Sequence, residues 1–590
     1  MSGILISAAH KSSGKTTIAI GLCAAFSSRG VIVQSFKKGP DYIDPMWLTQ
    51  ASGRACFNLD PYLMTSEQIG DCFAHHSATA DIAIVEGNKG LYDGLALDGS
   101  NSNAALAKLL DLPVVLVLDA RGMTRGIAPL ILGYQAFDRQ IQIAGVILNQ
   151  LGGSRHESKL RAVIEHYTNV KILGAIGCDP SLSVVERHLG LIPNHEHDDA
   201  QKRVHAMGER VAQQVNLDSI RQLAQDPVRD AKASANGWSK TPNTPSDSTC
   251  DRPSKKLRIG IARDRAFGFY YPDDLIALER VGADIVPVDT LNDTQLPELD
   301  GLFIGGGFPE VFMEQLQANT GLRTQLRAAI EANLPVYAEC GGLMYLARTL
   351  RWKEQIFDMV GAIAADVVMH ERPVGRGYVE LQTTGNAPWP SLHGTQPVRL
   401  RGHEFHYSSL ENIDPALSYA YRVLRGHGID GHHDGIVYKN VLASYAHLRD
   451  AAGSNWVGQF IECVRVQKAL KEQKGPSEVR KLLVNGKAIA TDVEGYLSNV
   501  DEWNEDFVRV QAATENLELT EAHWQVITFL RSYFEEHRVQ AQVCAMIWHF
   551  AQAWGPERGN NHHLHTLFPA GGPQKQGNRL AGLLKTKGEH

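Results

Sequence analysis

Short aliphatic and β-branched runs recur through the first 225 residues, separated by stretches whose apolar positions have helical spacing. "GILISAA", "VIVQSF", "IAIVEG", "VVLVLDA" and "AGVILN" are apolar with little alternation. Such runs suit strands buried on both faces, as in a parallel sheet. Strands interleaved with helices predict a doubly wound α/β domain over residues 1–225. The pattern then breaks. Residues 226–256, inside "AQDPVRDAKASANGWSKTPNTPSDSTCDRPSKK", are rich in Ser, Pro, Thr and Asp and poor in large apolar side chains. That is the composition of a flexible linker. Strands return with "LRIGIARD", "ADIVPVD", "GLFIGGG" and "PVYAEC", which predicts a second α/β domain over 257–470. "KEQKGPSE" reads as another linker. Over 482–590 the pattern becomes helix-rich. "TEAHWQVITFLRSYFEEH" has apolar residues at helical spacing and Thr520 placed as N-cap, and a polar, glycine-rich tail follows.

Composition narrows the picture. A chain of 590 residues, 43% hydrophobic and 21% charged, fits several globular domains. A net charge of −7 gives no support for a nucleic-acid partner. No apolar run approaches the ~18–20 residues that cross a bilayer, so no membrane partner is expected. "MSGILISAAHKSSGKTT" lacks a basic n-region and a long apolar core, against a signal peptide. The cysteines (Cys23, Cys56, Cys72, Cys178, Cys250, Cys340, Cys463, Cys544) are scattered, with no CxxC pair. Reduced thiols and a cytoplasmic location are the expectation.

Polar stretches punctuate the first domain at strand ends, where open α/β sheets bind ligands. "AHKSSGKTT" (Ala9–Thr17) follows the first strand and opens a helix. It fits A-x4-G-K-T, a phosphate loop whose first glycine is an alanine. Ser12, Ser13, Gly14, Lys15, Thr16 and Thr17 would cradle phosphates on backbone N–H groups at the helix N-terminus. Lys15 would reach the β- and γ-phosphates and the Thr16 hydroxyl would hold Mg2+. "VEGNKGLYDG" puts Glu86 at a strand's carboxyl end, suited to a second Mg2+ ligand. "FKKGPDYIDPMW" gathers Lys37, Lys38, Asp41, Tyr42 and Asp44. A cation and two carboxylates beside a nucleotide suit phosphoryl transfer, which depends on positioning and charge neutralisation. The plainer alternatives are a polar strand–helix turn and solvated loop acids.

In the second domain, "YAECGGLMYL" places Cys340 between a buried strand and a helix-like segment, the arrangement of a nucleophile elbow. A helix N-terminus and a nearby histidine both lower a thiol pKa. "LASYAHLRD" supplies His447, and Gly306 and Gly307 of "FIGGGFPE" offer oxyanion donors. His403 and His406 of "RGHEFHYS" are expected to be structural or to contact substrate. His562, His563 and His565 lack ligand spacing on one helix face and are expected to be structural or solvated.

Over about residues 1–465 these motifs together resemble the cobyrinic acid a,c-diamide synthases. The resemblance is carried by "SSGKTT", "FKKGPDYIDP", "VEGNKGLYDG", "GVILNQLGGSRHESKL", "ERHLGLIP", "ARDRAFGFYYPDDL", "GGGFPE", "AECGGLMYL" and "RGHEFHYS". It implies a dethiobiotin-synthetase-like P-loop domain joined to a class I glutaminase domain of the cobyric-acid-synthase type. It also implies ATP with Mg2+, glutamine as nitrogen donor, and amidation of tetrapyrrole carboxylates through an acyl phosphate. Lys15, Lys37, Thr16 and Glu86 would stabilise the transferring charge. Asp41, Tyr42 and Asp44 would organise the substrate carboxylate, Cys340 would form the thioester and His447 would be its base. A homodimer is also expected. Three positions depart from the family: Ala9 for glycine, Leu48 for histidine, and Arg449 for the second histidine of H-x-H. The first two departures touch the synthetase side, and with them sirohaem stands beside cobyrinate as substrate.

The last domain resembles the DsrC/TusE sulfur-relay proteins through "VNGKAIATDVEGYLSNVDEWNEDFV", "LTEAHWQVITFLRSYF", "LHTLFPAGGPQKQG" and "RLAGL". The two cysteines of that family's arm are replaced by Asn578 and Glu589, and neither can carry a persulfide. Lys575, Arg579 and Lys585 on a mobile tail would then form a docking surface for a sulfite-reductase-type partner. The alternative is a regulatory or docking protein of that sulfur pathway that has lost turnover.

Overall fold

The computed structural model describes residues 2–179, 186–187, 190–191, 199–225, 256–389, 396–451, 453–473, 480–492, 494–497, 499, 502–537 and 540–583. The chain forms two compact units, Met1–Gln467 and Lys468–His590. Residues 1–225 and 257–467 of the two expected α/β domains lie within the first. The linker expected at 226–256 lies outside the described residues except for Lys256.

The N-terminal half of the first unit is a parallel sheet of β1 (Gly3–Ala8), β2 (Val33–Lys38), β3 (Phe57–Leu59), β4 (Ile82–Glu86), β5 (Val114–Asp119), β6 (Ile143–Leu151) and β7 (Lys171–Gly177). Their order is β3-β2-β4-β1-β5-β6-β7. Side chains alternate across the sheet, so Ile4 and Ile6 join one core while Leu5 joins the core on the other face. All three are fully buried, which is why the sequence shows an unbroken apolar run. β1 lies between β4 and β5, so the loops leaving β1, β2 and β4 converge at the carboxyl edge. Helices α1 (Lys15–Ser27) and α2 (Ile43–Ser52) follow β1 and β2.

The other half of this unit is built on a ten-stranded mixed sheet. Ala283–Val288, Leu257–Ala262, Gly301–Ile304, Val336–Glu339 and Val441–Ser444 are parallel neighbours. The sheet continues antiparallel through His433–Tyr438, Ser418–Arg425, Gly375–Thr383 and Arg399–His406 to His447–Leu448. The halves are fastened across a polar seam. Tyr378 Oη donates to both carboxylate oxygens of buried Asp60 at 3.0 Å, and the Tyr62 and Tyr378 rings stack 4.4 Å apart.

The second unit begins with a hairpin, Arg480–Val484 and Lys487–Thr491, turned by Asn485 and Gly486 with φ of 50° and 79°. Positive φ at both positions is what a two-residue hairpin turn requires, and Asn-Gly meets it at low cost. Helices Glu505–Thr514, Glu521–His537, Val543–Trp554 and Asn561–Leu567 complete it around Phe507, Ile527, Leu530, Phe550 and Phe568. Thr520 precedes its helix as expected, with its hydroxyl 2.7 Å from His523 Nδ1. The tail needs correction. Arg579 is no arm residue: it forms a two-bond ion pair with Glu515, both bonds 2.7 Å, with side chains only 11% and 12% exposed. Asn578 is fully buried, and Lys575 is half-buried. Lys585 and Glu589 lie outside the described residues. Among the described residues no helix is long and apolar enough to cross a membrane.

Candidate active site

The phosphate loop opens α1 through Gly14, whose φ is 87°. A Cβ there would also lie 2.1 Å from the Asn149 amide nitrogen, so the position demands glycine twice over. Asn149, at the end of β6, donates to the Ser13 carbonyl at 3.0 Å and fixes the loop. Ala9 is not among the residues with positive φ, so its methyl group brings no backbone strain; its carbonyl accepts from Tyr134 Oη at 2.5 Å. Leu48 is fully buried in the core that also holds Ala8 and Ile18.

Lys15, Thr16, Lys37, Asp41, Asp44 and Glu86 meet beneath that loop. Thr16 Oγ1 donates to Glu86 Oε1 at 2.5 Å. Lys37 Nζ is bonded to Asp44 Oδ2 and lies 3.1 Å from Glu86 and 3.9 Å from Asp41. Burial raises the Glu86 pKa against the opposing pull of Lys37. Burial depresses Lys15, and the neighbouring Lys37 charge adds to the effect. Lys37 moves upward: burial disfavours its charge, but Asp44, Glu86 and Asp41 outweigh it. Glu86 Oε2 is buried with no hydrogen-bonded partner among the described residues. A hydroxyl, an orphaned carboxylate oxygen and Asp44 make an all-oxygen donor set that fits Mg2+. Asp41 also has a structural role, since its Oδ1 accepts from the Ile43 and Asp44 N–H groups at 2.9 and 3.1 Å and starts α2.

In the other half, Cys340 ends the strand Val336–Glu339 and precedes the helix Gly341–Leu346, with φ 48° and ψ −99°. A non-glycine residue held there is strained, as at other sharp strand-to-helix turns that expose a nucleophile. Its backbone N–H is tied to the Ser444 carbonyl at 2.7 Å. His447 Nδ1 pairs with Glu339 Oε2 at 3.2 Å and the imidazole neighbours the Cys340 thiol, whose Sγ lies 3.9 Å from the Phe405 carbonyl oxygen. Burial works against the imidazolium, but the neighbouring Cys340 and Glu339 prevail and raise its pKa to about 10. Gly306 and Gly307 line the pair: a Cβ on Gly306 would come within 2.6 Å of His447, and one on Gly341 within 3.0 Å of the Gly307 nitrogen. His403 lies flat against His447, 4.8 Å between centroids. Burial, then the neighbouring His447, keeps His403 well below its ordinary pKa. His406 stacks on Tyr445, and its Nδ1 is held at the Ser408 carbonyl.

The acid in contact with His447 is Glu339, which sequence reasoning missed. Tyr337 Oη and the Leu448 N–H hold its Oε1 at 2.6 and 2.9 Å. Its only signal was an acid ending an apolar strand beside the nucleophile. Arg449 does not orient His447; it pairs with Asp273 and covers the Tyr271 ring at 5.0 Å. The placement of Tyr42 is a second correction. Its ring does not face Lys37 but stands 5.3 Å from His447 and 5.5 Å from His403, because the residues flanking it turn toward the phosphate loop. Cys72, His76 and Asp273 bring ligand-type atoms within 4.8 Å, but Arg449 already neutralises Asp273.

Three protein-family models match. An AAA domain covers residues 2–186, a CobB/CobQ-like glutamine amidotransferase domain covers 258–453, and a DsrC like protein covers 483–588. Cobyrinate a,c-diamide synthase of Magnetococcus marinus is 44% identical over 456 residues, which is 77% of this chain and 95% of that protein. The protein of that name from Methanosarcina acetivorans is 41% identical, over 78% of this chain and 94% of its own. The NMR structure of Allochromatium vinosum DsrC is 43% identical, over 19% of this chain and 99% of that one, with a TM-score of 0.18.

Proposed function

This chain belongs to the cobyrinate a,c-diamide synthase family of ATP- and glutamine-dependent amidating ligases, and from that premise we propose that it amidates tetrapyrrole carboxylates through an acyl phosphate. The observation that carries this reading is the presence, in one compact unit, of a phosphate-loop centre and a Cys340–His447–Glu339 centre, both bordered by residues 41–44. In the first centre a substrate carboxylate oxygen attacks the γ-phosphorus of ATP and ADP leaves. Lys15 and Lys37 neutralise charge that builds on the transferring oxygens. Thr16, Asp44 and Glu86 would hold Mg2+, which supplies Lewis-acid neutralisation of the phosphates when bound.

In the second centre Cys340 Sγ attacks the glutamine side-chain amide carbon, with its proton held by His447. His447 returns that proton to the departing nitrogen, which leaves as ammonia. Water hydrolyses the resulting thioester to glutamate. The Gly306 and Gly307 N–H groups would stabilise the oxyanion. Ammonia then attacks the acyl phosphate and phosphate leaves, giving the amide. Glu339 keeps the His447 ring oriented and its Nδ1 protonated.

The DsrC-like unit supports a second element of the reading, docking to a sulfite-reductase-type protein, and hence sirohaem beside cobyrinate as a substrate. With Arg579 committed to Glu515, docking would fall to other surface of the unit. The test is mass spectrometry of cobyrinate and of sirohaem after incubation with protein, Mg·ATP and glutamine. An amide gain of the wild type, retained by Cys340→Ala with ammonium but lost with glutamine, supports the two-centre reaction. Unchanged tetrapyrroles with intact ATP would overturn it.

A further inference from the structure

The segment between β2 and α2 borders both reaction centres. Asp41 and Asp44 face Lys37, whereas Tyr42 turns its ring into the other half of the unit. There it stacks on Phe269, with centroids 5.4 Å apart and planes 3° apart, and meets Tyr271 at 4.7 Å. His403 and His447 close the remaining side. Tyr42 is only 8% exposed and belongs to the same core as Phe269, Tyr271 and Phe308, so this part of the seam is an aromatic wall rather than a wet cleft. The wall is held in place. Gly39, with φ 87°, begins the turn, and the Asp41 side chain caps the backbone on the far side of Tyr42. The segment 41–44 thus borders both the centre that would release ammonia and the centre that would consume it, with the Tyr42 ring on the side of the first.

Resting on the proposed function, we propose that Tyr42 is a positioning residue that seals this seam, so that ammonia freed at Cys340 moves past its ring to the Asp41–Asp44 side instead of into solvent. The demand is chemical. Only unprotonated ammonia attacks an acyl phosphate, and contact with bulk water at neutral pH would convert it to ammonium. The aromatic wall excludes water, and the neutral His403 ring adds no charge of its own. No bond is made or broken by Tyr42; it acts by geometry.

The test compares wild type, Tyr42→Ala and Tyr42→Phe on cobyrinate with Mg·ATP and glutamine, counting glutamate released and amide formed. The ratio is independent of the fraction of protein that folds. Wild type is expected near the stoichiometric value. Tyr42→Ala should raise the ratio about fivefold or more, with free ammonium appearing in the medium, while Tyr42→Phe stays within about twofold. A ratio unchanged in Tyr42→Ala would overturn the seal. A Phe variant as leaky as Ala would place the effect in the hydroxyl and overturn it too. If wild type forms no amide with either glutamine or ammonium, the proposed function itself fails, and the inference falls with it.

Discussion

The Tyr378 hydroxyl donates to both carboxylate oxygens of Asp60, 3.0 Å each, across 318 residues of sequence. Asp60 is fully buried, and burial raises its pKa despite the bonds it accepts from the Tyr62 and Leu63 N–H groups and from Tyr378. Tyr378→Phe removes a donor and leaves a buried carboxylate less satisfied. The expected loss is about 1–3 kcal/mol. Its pH dependence has a definite sign. A carboxyl whose folded pKa lies above its unfolded value is favoured while protonated and loses that contribution as pH rises through the folded pKa. The variant raises that pKa further, so its deficit should be larger at pH 8 than at pH 5. Urea denaturation at the two pH values checks this.

Glu339→Gln keeps the shape of the triad but cannot hold a charged His447. The expected drop in glutamine hydrolysis is about 10²-fold or more, with ammonium-driven amidation spared. With the His447 pKa raised to about 10, the alkaline limb of glutamine hydrolysis in the wild type is expected near that pH. The substitution should move that limb toward neutral pH. A limb that stays in place would count against Glu339 as the orienting acid.

Glu86→Gln weakens the oxygen set around Thr16 and leaves Lys37 one partner short. ATP-dependent amidation should fall about 10²-fold or more with glutamine and with ammonium alike, since both nitrogen sources need the same activated carboxylate. Parallel assays of ADP release and of amide formation should decline together.

Arg579→Ala leaves the half-buried Glu515 without its cation, with Gln511 and Gln576 still donating to it. Losing a two-bond charged pair of this kind costs about 1–3 kcal/mol. Thermal unfolding of the second unit should shift downward by several degrees. A variant that loses only partner binding, with no loss of stability, would restore the docking role to Arg579.

Asn578→Cys would return a thiol to the arm position, but into a site with no exposure. The thiol should stay unreactive toward a disulfide reagent in the folded protein and become reactive in denaturant, because an apolar interior disfavours the thiolate. Rapid labelling under native conditions would show that the tail opens.

Read along the chain, the sequence determined whatever is local. A phosphate loop needs its residues contiguous between one strand and one helix, so Lys15 and Thr16 were legible, and so was the elbow that presents Cys340. Parallel strands buried on both faces were legible too, because they are apolar without interruption. The Asn-Gly hairpin at Asn485 and Gly486 was equally local, but the helical periodicity that follows it dominated the reading of that domain. Tertiary structure decided whatever depends on which distant surfaces meet. Glu339 lies 108 residues from His447, and no periodic pattern couples them. Tyr42 sits between two carboxylates in sequence, yet the turn at Gly39 and the cap at Asp41 send its ring to the opposite centre. Arg579 carried the charge of an exposed residue, and only the packing of its unit brought Glu515 to it. Charge type and spacing register along the backbone; a side chain's partner is chosen by long-range closure of sheets and helices, which the local pattern does not encode.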